Sequence, residues 1–84
     1  MPGQTVLVPI KIDPESPDHP YVQVANQLRA GIESGKYGPV LPSIMDLTEE
    51  TGLAVGTVRR AIGILIDEGI AYTVPGRGTF VTKR

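Results

Sequence analysis

At 84 residues the chain makes one small domain, and a chain of that length buries only about 60–65% of its unfolded surface, leaving little room for a substrate pocket. A hydrophobic fraction of 40% and a charged fraction of 20% are those of an ordinary globular protein. The net charge of −1 speaks against nucleic acid as a chain average, the absence of cysteine excludes disulfides and thiolate metal sites and fits a cytoplasmic setting, and neither a membrane helix nor a signal peptide is written in the sequence.

In chain order, residues 5–12, "TVLVPIKI", alternate with Val6, Val8, Ile10 and Ile12 on one side. Period two predicts a half-buried strand, and Pro9 confines it to an edge. A lone strand is unstable in water, so it is expected to bury against the domain or a second copy of the chain. The proline-rich "DPESPDHP" follows as a linker. A first helix should start at Pro20, capped by Asp18 or His19, with Tyr21, Ala25, Leu28 and Ile32 on its apolar face and Gly35 as its end.

"LPSIMDLTEETG" reads as a second helix, with Ser43 and Asp46 as a capping-box-like start and Gly52 as the stop. Ile44, Leu47, Thr48 and Thr51 share one face of it. A three-residue link leads to a third helix whose stripe is Val58, Ala61, Ile62, Leu65 and Ile66, closed by Gly69. Two short helices across so tight a turn predict a helix-turn-helix. "IAYTV" and "GTFVT" around "PGRG" then predict a β-hairpin. The expected fold is mainly α with a small β-hairpin: a winged helix-turn-helix of three helices plus wing, with an extra N-terminal strand. Residues 1–19 are the strand and linker, and 20–82 the winged domain.

Charge is unevenly spread. Residues 1–54 hold three basic side chains against seven acidic, whereas residues 55–84 hold five against two. A dipolar domain can therefore present one basic face to nucleic acid. On a wheel centred on Val58, Arg60 lies about 200° round, Thr57 about 260° and Arg59 about 100°. The third helix thus offers solvent a polar N-terminal turn of Thr57, Arg59 and Arg60. In helix-turn-helix proteins that turn enters the major groove, where arginine donates two bonds to guanine.

"YVQVANQLRAGIESGKY", "LPS", "TVRRAI", "EG" and "GRGTFV" occur here in the order of the GntR-type winged-helix regulators, and from Tyr21 to Val81 the chain resembles that family. The resemblance implies a bacterial DNA-binding domain that acts as a homodimer on a pseudo-palindromic operator. It also implies DNA contacts from Ser43, Thr57 and Arg59, with wing glycines Gly76 and Gly78 bringing Arg77 to the minor groove. Three positions depart from the pattern: Met45 stands where an arginine is usual, and Ala54-Val55 where Ser-Arg is usual. The effector domain that such regulators carry lies outside these residues.

The expected function is a sequence-specific DNA-binding transcriptional regulator, with double-stranded DNA as partner and no enzymatic step, cofactor, metal or membrane. Thr57, Arg59 and Arg60 would serve the major groove, Ser43 a phosphate, Arg77 the minor groove, and Val55 a thymine methyl. The rival is a protein-interaction module whose contact face is Ile44, Met45, Val55 and Ile64, the last of them clearly off the apolar stripe. His19 has no metal-ligand constellation around it, and no nucleophile–base pair or phosphate loop appears in the sequence.

Overall fold

The computed structural model describes residues 10–82, which form α1 (Pro20–Glu33), α2 (Ile44–Thr51), α3 (Val55–Asp67), β1 (Ala71–Val74) and β2 (Gly78–Val81). Pro20 starts α1, where its missing N–H costs nothing. His19 is the N-cap residue, but its side chain makes no capping bond. Its ring stacks instead on Tyr21, 5.8 Å between centroids. Asp18 likewise provides a backbone carbonyl, to Gln23 Nε2 at 2.9 Å, and no cap.

The buried face of α1 is turned from the expected one. Val24, Ala25 and Leu28 are buried, with Gly31 beside them, while Tyr21 and Ile32 are only half-buried. Gly31 is glycine for a steric reason: a Cβ there would overlap the Tyr37 ring.

α2 follows the sequence closely. Ser43 Oγ accepts from the Asp46 N–H at 3.0 Å, and Gly52 closes the helix at φ 73° in the left-handed region. Leu47 is fully buried, and Ile44, Thr48 and Thr51 are half-buried around it. On α3, Val58, Ala61, Ile62 and Leu65 are buried, but Ile66 is 38% exposed and does not belong to the stripe. It lies about 90° from the centre of the buried four. Ile64, on the other side of the stripe, is half-buried and packs on the core. The protein covers α3 on one flank and leaves the other open.

β1 and β2 pair antiparallel, from Ala71 opposite Val81 to Val74 opposite Gly78. The segment before α2 adds a rudimentary third edge that the sequence reading lacked. Val40 bridges Phe80, Leu41 N–H donates to Thr79 O at 3.0 Å, and Val81 N–H donates to Pro39 O at 2.8 Å. The wing is therefore anchored to the residues that open α2.

Of the expected N-terminal strand, residues 5–9, Val6 and Val8 included, lie outside the described residues, and Ile10–Ile12 form no strand. Ile10 is buried all the same, and Ile12 packs against the core. Their segment is held by side chains of α1. Gln27 Oε1 accepts from Lys11 N–H at 3.1 Å while its Nε2 donates to Lys11 O at 2.7 Å. Gln23 does the same to Asp13, at 2.8 and 3.0 Å. Residues two apart in an extended segment repeat every ~6.6 Å and residues four apart in a helix every ~6 Å, so the two carboxamides match the segment as a neighbouring strand would. Ile10 N–H donates to Glu50 Oε2 at 2.8 Å, which ties the same segment to α2.

Candidate nucleic-acid interface

The helix-turn-helix is α2, the turn Gly52–Ala54, and α3. Ala54 caps α3 with its backbone alone, so the first N–H groups of the helix have no side-chain acceptor. The positive end of α3 is thus open to an anion. Val55 (39% exposed), Thr57 (half-buried), Arg59 and Arg60 (both exposed) make up this end.

The two arginines differ in setting. No ion pair or side-chain hydrogen bond engages Arg59 among the described residues. Arg60 is placed over the ring of Tyr21, with its guanidinium carbon 4.2 Å from the centroid. Sequence reasoning treated Tyr21 as a core residue and missed this contact. The available signal was an aromatic side chain in the first turn of a neighbouring helix, which says nothing of its partner until the two helices are packed.

The wing tip is built by its own residues. Arg77 N–H donates to Val74 O at 2.9 Å, closing a turn with Pro75 second and Gly76 third at φ 75°. Proline then a left-handed glycine is the chemistry of a type II turn. Gly78 follows at φ 122°, and Arg77 between the glycines is exposed, with no ion pair among the described residues.

Ser43 and Met45 share one open groove with Gly76, Arg77 and Gly78. The start of α2 and the wing tip, far apart in sequence, therefore form one surface. Ser43 Oγ spends a lone pair on its cap and keeps its hydroxyl hydrogen for an outside acceptor. Met45, 62% exposed, is an apolar wall of the same groove.

The acidic side chain just beyond the far end of α3 is paired within the domain. Glu68, just beyond the C-terminus of α3 and so more than ~18 Å along the axis from Val55, takes two bonds from Arg29, at 2.8 and 2.6 Å. The Arg29 guanidinium holds the Glu68 carboxyl below its ordinary pKa, and Glu68 raises that of Arg29. The proposed protein-contact face is not presented whole. Met45 and Val55 are exposed, but Ile44 and Ile64 are half-buried against the core. Among the described residues no cluster of ligands could hold a metal ion, and no helix is long and apolar enough to cross a membrane.

Residues 20–81 match the model of the family "Bacterial regulatory proteins, gntR family". The transcriptional repressor NagR of Bacillus subtilis is 40% identical over 76 residues, 88% of this chain but 31% of its own length. The chain thus spans about a third of that relative. Among solved structures, the AraR DNA-binding domain in complex with operator ORE1 matches at 38% identity and TM-score 0.71, covering 74% of this chain and 78% of that one. YtrA from Sulfolobus acidocaldarius, a GntR-family transcription factor, matches at 37% identity and TM-score 0.81, covering 92% and 83%.

Proposed function

The chain belongs to the GntR family of bacterial regulatory proteins, and from that premise we propose that it is the sequence-specific DNA-binding part of a cytoplasmic transcriptional regulator. Arg59 carries the reading. It is exposed at the positive end of α3, and no neighbouring carboxylate among the described residues competes with DNA for it. In this reading Arg59 donates to guanine in the major groove, Thr57 sits beside it, and Val55 meets a thymine methyl. Ser43 gives its hydroxyl to a phosphate, Arg60 contacts the backbone, and Arg77 enters the minor groove between Gly76 and Gly78. Two copies bind half-sites as a homodimer. The AraR domain's complex with its operator supports the partner class.

The test is wild-type protein titrated onto a pool of random duplexes at low salt. One sequence family should be enriched, and Arg59→Ala should bind it more weakly by about 1–3 kcal/mol with relaxed preference at one base per half-site. No enrichment, with Arg59→Ala indistinguishable from wild type, would falsify the reading.

A further inference from the structure

Arg59 and Arg60 are neighbours in sequence and alike in chemistry, yet only Arg60 is held in place. Its guanidinium sits over Tyr21, 4.2 Å from the ring centroid. That ring is itself fixed: Tyr21 packs against the core, and His19 stacks on it at an interplanar angle of 8°. No hydrogen bond joins Arg60 to Tyr21, so attraction to the π-charge of the ring leaves the guanidinium donors for an oxygen elsewhere.

We propose that Tyr21 is a positioning residue that holds Arg60 ready for a backbone phosphate, while Arg59 stays mobile to read a base; this rests on the DNA-binding reading above. The physical gain is preorganisation. Ordering a free arginine on binding weakens affinity by a factor of roughly two to ten, and an arginine already seated on a ring avoids that loss.

The test uses the duplex enriched from the random pool and a scrambled duplex of equal length. Wild type, Tyr21→Phe, Tyr21→Leu, Arg60→Ala and the Tyr21→Leu/Arg60→Ala double variant are titrated onto both. Tyr21→Leu should weaken both duplexes by the same factor, roughly two to ten per domain, and Tyr21→Phe should bind as wild type. In the double variant the two losses should not add. Arg60→Ala should make the salt slope shallower by about 0.9 per domain. Since Tyr21→Leu also removes packing, a second measurement is made on unaltered protein. The Arg60 side-chain protons should show an upfield ring-current shift in the free protein and keep it on DNA. Additive losses, a loss confined to the enriched duplex, a Tyr21→Phe variant as weak as Tyr21→Leu, or an absent ring-current shift would each overturn the proposal while leaving DNA binding intact. Wild-type protein that binds no duplex would overturn the DNA reading and this proposal with it.

Discussion

Ser43 shows how one side chain can serve the fold and the interface together. Its Oγ caps α2 through the Asp46 N–H, and the exposed residue lines the groove it shares with the wing. The two roles separate by substitution. Ser43→Ala should lower stability by about 0.5–2 kcal/mol in urea denaturation. Ser43→Asp keeps a capping acceptor and adds charge suited to a helix N-terminus, so it should melt no lower than wild type. It should nevertheless weaken binding to every duplex, because a carboxylate would face phosphate. Wild-type affinity in Ser43→Asp would remove Ser43 from the interface. Arg77 is the other residue whose role can be isolated. If it enters a minor groove, Arg77→Ala should lose most on A·T-flanked sites, where that groove is narrow and its potential most negative. Equal losses on G·C-flanked and A·T-flanked duplexes would reduce Arg77 to a phosphate contact. The cap of Ser43 and the candidacy of Arg77 were legible because their chemistry is local, a cap three residues from its donor and a cation between two turn glycines, whereas the place of Ser43 at the interface came from the resemblance to the family. Arg60 was legible only in part, since a helical wheel contains no Tyr21.

At the scale of elements, periodicity marked which helices form and roughly which side each buries, but not how far burial extends round each one. On α3 the wheel puts Ile66 in the stripe and Ile64 clearly off it, yet Ile64 is half-buried and Ile66 is exposed. The segment before α1 carries the same lesson. Within the described residues, alternation at Ile10 and Ile12 is one-sided burial without a strand, because the partner is a pair of glutamines on a helix. Gln23 is buried and bonds Asp13 in both directions as well as Asp18 O, whereas the Gln27 bonds are exposed. Gln23→Leu leaves shielded backbone groups without partners and should cost about 1–3 kcal/mol. Gln27→Leu returns its partners to water and should cost about 1 kcal/mol or less. Denaturation midpoints that rank the two variants equally, or in reverse, would show that the segment is not held through Gln23.

Across the whole molecule, charge is sorted by the fold as well as by the sequence. Arg29 of α1 clasps Glu68, just past the end of α3, so one of the two acidic side chains at that end is paired with the scaffold. The folded-state pKa of Glu68 is depressed by that bond. Its contribution to stability is therefore present above the usual carboxylate range and disappears as pH falls through the lowered value. The pair is partly exposed, so the effect is small and screened by salt. Glu68→Gln should melt below wild type at neutral pH, with the gap closing as the pH is taken down through the carboxylate range. A gap that persists unchanged at acid pH would mean the side chain acts through packing rather than charge.

The sequence by itself determined the order of elements, the cap of α2, the glycine turn of the wing and the presence of cations at one end of α3. Each of these rests on interactions within a few residues, which spacing and residue type can express. Only the tertiary structure decided that Arg60 is seated on Tyr21, that Gln23 and Gln27 stand in for a strand, that Pro39–Leu41 anchors the wing, and that Ser43 faces the same groove as Arg77. Those contacts join residues from 10 to 42 positions apart along the chain. Their existence depends on the angle and depth at which helices and hairpin pack, and no single segment encodes that.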